Sequence, residues 1–266
     1  MKHKGQITII KIGGSVLTKK DHAQKPLLQE NVISTIAKEL SQYWKSSIQR
    51  IVLVHGVGSF AHPLAYKYNL ADLKNVKKSP VGVSLTHAAV QDLQGKITKL
   101  LLREQLPIFP FSTASMVQQK MGRIKSFNIL PIQRLLEKRM IPLLSGDMVV
   151  DEATGFSVCS GDQITAYLAN MLFAQRVIFL TDVNGIYTAD PKRNKDAKIV
   201  PILDKKRLLP TLRTSLKLTK KDVTGAIQGK LAEIVTVSAP VIVCNGLQKG
   251  NLLKALQGKN PGTLIS

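Results

Sequence analysis

Four glycine-containing turns, each following a short apolar segment, constrain the fold of this chain more than any other feature. They are Lys11-Ile12-Gly13-Gly14-Ser15, His55-Gly56-Val57-Gly58, Ser145-Gly146-Asp147 and Thr181-Asp182-Val183-Asn184-Gly185. In the segment 50–54 every residue after Arg50 is apolar, which is typical of a strand buried on both faces. Amphipathic segments of helical period alternate with such runs. This alternation predicts a mainly parallel sheet between two layers of helices, a three-layer αβα sandwich.

The apolar spacing also predicts the bounds of the individual elements. Helices are expected at residues 27–44, 83–103, 130–139, 161–173, 227–235 and 252–256. Strands are expected at residues 6–12, 50–54, 107–111, 141–144, 176–180, 241–243 and 263–265, with a hairpin over 148–158. The sequence contains no internal repeat and no low-complexity linker, so a single domain over residues 1–266 is expected, divided near Cys159 into two lobes of one sheet.

The charge of the chain narrows the choice of ligand. Lys and Arg number 38 and Asp and Glu number 17, which gives a net charge of +21 at pH 7. Such an excess raises the local concentration of anions, and both nucleic acid and a phosphorylated small molecule fit that description. Aromatic residues make up only 5% of the chain, which leaves few platforms for stacking nucleic-acid bases. A basic surface without a specific ligand explains the charge equally well.

Apolar run lengths and cysteine content bound the class of protein. No apolar run approaches the roughly 20 residues of a membrane helix, and the first apolar stretch is too short for a signal peptide. We therefore expect a cytoplasmic protein that binds no membrane. Cys159 and Cys244 are the only cysteines, too few for a disulfide scaffold or a cysteine-built metal site, and no metal held directly by side chains is expected.

The turns carry the residues from which chemistry is expected. Lys11 precedes a glycine pair that lets backbone N–H groups face phosphate oxygens, although a tight turn with an exposed lysine explains the motif equally well. His62 can donate a hydrogen bond to an anion or be a satisfied structural histidine, which is the role expected for His55. Asp162 can orient lysines around a phosphoryl group or merely cap a helix. The turn 181–185 can hold a ribose or adenine edge or lie on the surface.

Together these motifs resemble the amino acid kinase family, in that family's order and over nearly the whole chain. The further matching segments are Ser160-Gly161-Asp162, Tyr187-Thr188-Ala189-Asp190-Pro191 and Asp222-Val223-Thr224-Gly225 with Lys230. Three more features are similar to one subgroup, the isopentenyl phosphate kinases: His62, Thr86-His87-Ala88-Ala89-Val90, and the ending 245–251 through Thr263. The resemblance implies an αβα-sandwich homodimer that phosphorylates isopentenyl phosphate with ATP, with Mg²⁺ bound through the nucleotide phosphates.

The resemblance also implies roles for individual residues. Lys11 would bridge the ATP phosphates and the transferred group, and Lys20, with Lys19 as the alternative, would stabilise the transition state. Asp162 would hold the lysines in place, and His62 would bind the acceptor's phosphate. Residues 1–159 would bind the acceptor and residues 160–266 the nucleotide. The nucleotide contacts implied are Lys11, Gly13, Gly14, Ser15, Gly58, Asp162, Thr181, Asp182, Gly185, Tyr187, Gly225 and Lys230. The acceptor contacts implied are Gly56, Val57, Gly58, His62, Val83, Thr86, Val90, Gly146, Ser160 and Gly161.

Departures from the family pattern keep alternatives open. Val57 stands where the subgroup usually has a glycine, and a β-branched residue resists positive φ, so an altered second turn is expected. Gln163 stands where a second acid is frequent. A sibling kinase acting on a phosphonate, a nucleoside monophosphate or an acyl amino acid is one alternative, although no arginine lies between Arg50 and Arg103 to bind a carboxylate. A nucleic-acid-binding protein is the other, and its binding would depend steeply on salt.

Overall fold

An eight-stranded sheet forms the centre of the structure, a computed structural model that describes residues 7–20, 25–74, 77–189, 194–206 and 225–266, with the backbone alone at residue 20 and at residues 225–228. The strands are β1 (Ile7–Ile12), β2 (Thr18–Lys20), β3 (Pro26–Leu28), β4 (Arg50–His55), β5 (Ile108–Pro110), β6 (Val117–Lys120), β7 (Arg123–Phe127), β8 (Ile141–Ser145), β9 (Asp147–Asp151), β10 (Gly155–Cys159), β11 (Arg176–Thr181), β12 (Ile202–Leu203), β13 (Val241–Asn245) and β14 (Thr263–Ile265). The helices are α1 (Gly14–Leu17), α2 (Glu30–Ser46), α3 (Gly58–Lys67), α4 (Pro80–Arg103), α5 (Leu130–Glu137), α6 (Gly161–Met171), α7 (Gly225–Ile234) and α8 (Asn251–Leu256).

The central sheet has the spatial order β12-β14-β13-β11-β1-β4-β8-β5. From β13 to β5 the neighbouring strands pair in parallel, whereas β14 runs antiparallel to β13. In the middle of the sheet Ile9 of β1 lies opposite Val177 of β11 and Val52 of β4. All the parallel strands therefore end at the same edge, where the predicted turns follow them.

Two apolar cores cover the two faces of this sheet. Alternate residues of β1 point to opposite faces, so Ile9 packs in one core and Ile10 in the other. Helices α5, α6 and α7 contribute to the first core, and helices α2, α4 and α8 to the second. The predicted three-layer αβα sandwich with a mainly parallel sheet is thus confirmed.

The element bounds agree with prediction for most of the chain and differ at its turns. The predicted helix 27–44 begins only at Glu30, because Pro26–Leu28 pairs instead as β3 with β2. The apolar residues Leu27 and Leu28 fitted a helical spacing although they lie in a strand. Residue 6, the predicted start of the first strand, lies outside the described residues.

A second, four-stranded sheet lies beside the central one, in the order β10-β9-β6-β7. The predicted hairpin at 148–158 forms its β9 and β10, whose strands join at Glu152 to Thr154. The other hairpin, β6 and β7, was not predicted, nor was α3 after the second glycine turn. Within the described ranges, the structure contains no helix with the length and apolar character needed to cross a membrane.

Candidate active site

The predicted glycine turns meet at the carboxyl edge of the central sheet. The first three turns each donate a backbone hydrogen bond to the end of a neighbouring strand, Gly13 to Leu180, Gly56 to Ile12 and Gly146 to His55, over 2.8 to 3.1 Å. At the fourth turn the carbonyl oxygen of Thr181 accepts from the N–H of Gly246, which follows β13, over 2.8 Å. The order of these bonds follows the order of the strands. Four turns that are far apart in sequence therefore form one continuous surface, which is where ligands bind in open α/β sheets.

The first two turns touch through their backbones. A Cβ atom on Gly14 would lie 2.5 Å from the nitrogen of Gly58, and one on Gly56 would lie 2.6 Å from the nitrogen of Gly14. No side chain fits in such gaps, so both positions need glycine. In this turn Gly58 has the positive φ, +46°, whereas Val57 has φ −100°. Val57 therefore occupies an ordinary right-handed conformation and has none of the positive φ that a β-branched residue resists.

The third turn meets the segment fifteen positions later in the same manner. A Cβ atom on Gly146 would lie 2.9 Å from the nitrogen of Gly161, and one on Gly161 would lie 3.5 Å from Cε of Lys11. Helix α6 begins at Gly161, and the Ser160 hydroxyl caps it by accepting from the N–H of Gln163. The amino terminus of α6, with the partial positive charge of its free N–H groups, thus lies beside the Lys11 side chain.

A buried carboxylate between two ammonium groups forms the charged centre of the site. Nζ of Lys11 lies 2.8 Å from Oδ1 of Asp162, and Nζ of Lys230 lies 3.1 Å from both carboxylate oxygens. The side chains of Lys11 and Lys230 are only 8% and 14% exposed. Nζ of Lys230 also lies 5.1 Å from the ring centre of Phe179. The predicted residues Lys11, Asp162 and Lys230 therefore come together although they span most of the chain.

The protonation of this centre follows from burial and charge. Burial works to raise the pKa of Asp162, but the charges of Lys11 and Lys230 outweigh it and hold the pKa below its usual range. Burial, together with the positive charge of Lys11, lowers the pKa of Lys230 to about 8, despite the opposing effect of Asp162. At neutral pH the centre therefore holds one carboxylate and carries an excess positive charge, which suits an anionic ligand.

A cavity borders this charged centre. Its lining includes the charged or polar side chains of Lys11, Asp162, Asp147 and His62 together with apolar groups. Of the predicted residues, the cavity is lined by Lys11, Gly14, Gly56, Val57, His62, Thr86, Val90, Gly146, Ser160, Gly161 and Asp162. Sequence reasoning missed Ala61, Ala65, Met148 and Val158, which complete the apolar wall.

Two predicted acceptor contacts, Gly58 and Val83, do not line the cavity. Val83 is buried with Leu70 and Met148 in a small apolar cluster, and of these three only Met148 reaches the cavity lining. Val83 packs behind the wall that Met148 helps to form, and its contact with the acceptor stays a prediction. Its helix α4 turns Thr86 and Val90 towards the cavity instead.

The two histidines of the second turn differ in their surroundings. His62 lines the cavity, and burial together with the charge of Lys11 lowers its pKa, so the imidazole is neutral at pH 7. His55 is fully buried, with Nδ1 3.0 Å from the carbonyl oxygen of Gly56, and its Nε2 has no partner within the described parts of the chain. Burial lowers the pKa of His55 to about 4. Of the two, only His62 lines the cavity, where its ring N–H can reach a ligand.

A buried acid that lines the cavity is paired with a histidine outside the lining, and sequence reasoning missed both roles. Asp147 is 3% exposed and borders the cavity, and Nδ1 of His87 lies 2.9 Å from its Oδ2. Burial raises the pKa of Asp147, and the charge and hydrogen bond of His87 oppose that shift only in part. His87 belongs to the segment 86–90 already singled out, but its pairing with a residue 60 positions away has no signal in the sequence.

The predicted nucleotide residues of the fourth turn cluster at the end of β11. The hydroxyl of Thr181 donates to the carbonyl oxygen of Val183, and Gly185 lets the hydroxyl of Thr263 approach, since a Cβ atom there would lie 2.7 Å from it. Asp182 is exposed and Tyr187 is half-buried. None of these four predicted residues lines the described cavity.

Several predicted residues are placed only in part. The backbone of Gly225 begins α7, which carries Lys230, and Ser15 is exposed beside the first turn. The side chain of Lys20 and residues 190–191 and 222–224 lie outside the described residues. Among the described side chains, no group of three or more His, Cys, Asp or Glu residues is arranged to hold a metal ion.

Comparison with known proteins places these features in a family. The model of the amino acid kinase family matches residues 6–245. The chain is 33% identical to the isopentenyl phosphate kinase of Methanothermobacter thermautotrophicus, over 97% of this chain and 98% of that protein. It is 29% identical to that of Methanocaldococcus jannaschii, over the same shares. A solved structure of isopentenyl phosphate kinase superposes with a TM-score of 0.82 at 29% identity, over 97% of this chain and 100% of that one.

Proposed function

Because the chain belongs to the amino acid kinase family, we propose that it transfers a phosphoryl group from ATP to isopentenyl phosphate and so forms isopentenyl diphosphate. One observation carries the proposal: a single cavity is lined both by Lys11 and Asp162 of the charged centre, where Asp162 also pairs with Lys230, and by the apolar side chains of Ala65, Val90, Met148 and Val158. An alkyl phosphate needs both environments, since its phosphate requires positive charge and its tail requires apolar surface. Similarity to isopentenyl phosphate kinases over 97% of the chain supports the same substrate.

The positive charge of the centre suits the phosphates of a nucleoside triphosphate and the transferred phosphoryl group. In phosphoryl transfer the protein mainly positions the reactants and neutralises charge on the phosphoryl oxygens. Lys11 and Lys230 supply that charge, and Asp162 fixes the two ammonium groups by accepting from both. Further nucleotide contacts are proposed for Gly13, Gly14, Ser15, Gly58, Thr181, Asp182, Gly185, Tyr187 and Gly225. Mg²⁺, bound through the phosphates of ATP, would neutralise part of their charge.

No residue has to act as a general base in this reaction. The attacking oxygen belongs to a phosphate monoester, which is already ionised, and it forms a bond to the terminal phosphorus while the bond to ADP breaks. Asp162 is anionic and accepts from two lysines, so it positions them rather than removing a proton. The extra positive charge of Lys20, or of Lys19, is proposed to stabilise the transition state.

The acceptor's phosphate is proposed to lie between His62 and the amino termini of α3 and α6. Free N–H groups at helix amino termini favour anions, and the N-cap residues of the two helices, Val57 and Ser160, both line the cavity. A neutral His62 has one ring N–H to donate to a phosphate oxygen. The acceptor contacts proposed are thus Gly56, Val57, Gly58, His62, Gly146, Ser160 and Gly161.

The isopentenyl tail is proposed to lie against α4. Thr86 and Val90 face the cavity, and the hydroxyl of Thr86 is occupied by the carbonyl oxygen of Gly82, so this wall is apolar in effect. No arginine lines the described cavity, and an acyl amino acid would need one to pair with its carboxylate. This wall therefore favours isopentenyl phosphate over that alternative.

The wider organisation stays a prediction. Residues 1–159 are proposed to form the acceptor-binding lobe and residues 160–266 the nucleotide-binding lobe. We also propose that the protein forms a homodimer and is located in the cytoplasm. It is proposed to bind neither nucleic acid nor membranes.

A panel of acceptors tests the proposed reaction. Release of ADP from Mg-ATP is measured with isopentenyl phosphate, fosfomycin, UMP and N-acetylglutamate, for the wild type and for His62→Ala. We expect turnover of isopentenyl phosphate, and a fall in kcat/KM of about 10- to 100-fold in the variant, because a hydrogen bond to a charged group is lost. Tyr66→Ala is the matched control, since Tyr66 lies on the same helix and is 91% exposed. Preferred turnover of another acceptor, or equal activity of His62→Ala and Tyr66→Ala, would contradict the proposal.

A further inference from the structure

One buried hydroxyl joins the first two glycine turns. Thr18, at the start of β2, is 4% exposed. Its Oγ1 donates to the carbonyl oxygen of Gly14 over 3.0 Å and accepts from the backbone N–H of Ser59 over 2.9 Å. A hydroxyl has a single proton to donate, so these two bonds fix its orientation. The first bond adds to the one that the backbone N–H of Thr18 donates to the same carbonyl oxygen, and the second holds the start of α3.

The bond to Ser59 replaces a cap that α3 does not supply for itself. The first N–H groups of a helix have no partner within it, and a polar side chain at the N-cap usually accepts from one of them. Here the N-cap residue is Val57, which makes no such bond. Thr18 caps the helix from 41 positions away, and the Ser59 hydroxyl donates in return to the carbonyl oxygen of Lys19 over 3.0 Å.

The close approach of this hydroxyl depends on Gly58. A Cβ atom there would lie 2.1 Å from Oγ1 of Thr18, which is shorter than any tolerated contact. The φ of +46° at Gly58 also favours glycine. Two independent constraints at Gly58 thus serve the same contact between Thr18 and α3.

Three elements of the proposed reaction converge on this hydroxyl. The Lys11 turn precedes it, His62 lies on the helix it caps, and the backbone of Lys19 and Lys20 follows it directly in β2. We propose that Thr18 is a positioning residue that sets the separation between the Lys11 turn and His62. The inference rests on the proposed function, in which these two groups hold the two phosphates that become joined.

The test compares three substitutions in the full chain. Thr18→Val keeps the shape of the side chain and removes both hydrogen bonds, whereas Thr18→Ser keeps the hydroxyl. Thr8→Val is the matched control: Thr8 is 1% exposed, donates to Oε1 of Gln49 over 3.0 Å, and lies at the opposite end of β1 from the site.

The kinetic readout is turnover of isopentenyl phosphate with saturating Mg-ATP. Because misplacement of reacting groups by about 1 Å costs on the order of 100-fold in rate, we expect kcat to fall about 10- to 100-fold in Thr18→Val. Thr18→Ser and Thr8→Val are expected to stay within about threefold of the wild type, a difference of roughly 0.7 kcal/mol in the barrier. Thermal unfolding of all three variants shows whether Thr18→Val is folded at the assay temperature.

A second readout does not depend on the acceptor. The ring nitrogens of His62 are followed by ¹⁵N NMR as a function of pH, after assignment of its signal among the five histidines with His62→Gln. We expect the titration midpoint of His62 to move in Thr18→Val and to stay unchanged in Thr18→Ser and Thr8→Val. A wild type that binds ATP but does not phosphorylate isopentenyl phosphate would contradict the proposed function alone, and this readout would still decide the role of Thr18.

Two results would overturn the inference. One is a His62 titration in Thr18→Val that matches the wild type, since the hydroxyl then does not position α3. The other is an equal loss of stability in Thr18→Val and Thr8→Val with kcat unchanged in both, since Thr18 is then a structural residue only.

Discussion

Replacing Asp162 with Asn probes the charged centre most sharply. The substitution keeps the size of the side chain and removes the negative charge that holds Lys11 at 2.8 Å and Lys230 at 3.1 Å. Breaking a buried ion pair by removing one partner costs about 3 to 5 kcal/mol, because an uncompensated charge stays buried. That range applies here because the two lysine side chains are only 8% and 14% exposed.

Lys230 can limit this cost by giving up its proton. Its pKa of about 8 in the wild type falls further in Asp162→Asn, because the carboxylate that favours the charged form is gone. Because pH 7 lies one unit below the wild-type pKa of about 8, a variant in which Lys230 is neutral loses at most about 1.4 kcal/mol relative to the wild type through this group. We therefore expect Asp162→Asn to lose about 2 to 4 kcal/mol of unfolding free energy at pH 7.

The same protonation gives the loss a pH dependence with a defined sign. Between the pKa of Lys230 in the variant and about 8, the wild type holds a proton that the variant lacks. The unfolding free energy of the wild type therefore exceeds that of Asp162→Asn by about 1.4 kcal/mol less for each pH unit of rise through that window, and the difference is constant above it.

Urea unfolding at pH 6.5 and pH 9 measures this difference. Asp92→Asn is the control, because Asp92 and its partner Lys96 form an exposed pair, with side chains 55% and 47% exposed, whose loss is expected to cost under about 0.5 kcal/mol. A stability of Asp162→Asn equal to that of Asp92→Asn at pH 6.5 would refute the reasoning. So would a difference that widens with pH.

Three further substitutions test other parts of the structure. Arg123→Gln removes the ion pair with the largely buried Glu233 on α7, the helix that also carries Lys230. We expect a raised KM for ATP in kinetic assays and a loss of about 0.5 to 1 kcal/mol of unfolding free energy in urea. Arg134→Gln, which removes an exposed ion pair, is the control and is expected to change neither quantity. Glu39→Gln weakens the carboxylate that accepts from the first N–H groups of α8, and a loss of about 1 kcal/mol in urea unfolding is expected, with turnover unchanged. Burial raises the pKa of Asp147 in the folded protein, so the wild type loses stability as pH rises through that pKa and the carboxylate becomes charged. Asp147→Asn should therefore be more stable than the wild type at pH 7 but not at pH 4. A less stable variant at pH 7 would contradict the claim that burial of the charged carboxylate opposes folding.

The central sheet was predictable because its strands carry their own signal. The run 51–54 is apolar throughout since both faces of β4 are buried there, and a glycine turn follows β4 as it follows β1 and β8. The hairpin of β6 and β7 has no such signal. Gln119 of β6 is fully buried, but its polar groups are satisfied by Gln163, Ser157 and the carbonyl oxygen of Gly122. Buried polar residues that satisfy one another do not produce an apolar pattern.

The candidate site was predictable where one turn carries one function. Lys11, Asp162 and Lys230 follow from motifs, and the geometry that joins them follows from the shared edge of the sheet. The pairing of His87 with Asp147 and the cap that Thr18 supplies to α3 depend on contacts over 60 and 41 positions. Neither contact leaves a local pattern, so the structure was needed to find them.

The identity of the product tests the proposed chemistry most directly. Isopentenyl phosphate, Mg-ATP and the wild-type protein are followed by ³¹P NMR, with fosfomycin, UMP and N-acetylglutamate in parallel samples. We predict that the monophosphate signal of isopentenyl phosphate disappears and is replaced by the two coupled signals of a diphosphate ester, as ADP accumulates. An unchanged isopentenyl phosphate signal, alongside consumption of one of the other three acceptors, would contradict the assignment of the cavity to an alkyl phosphate.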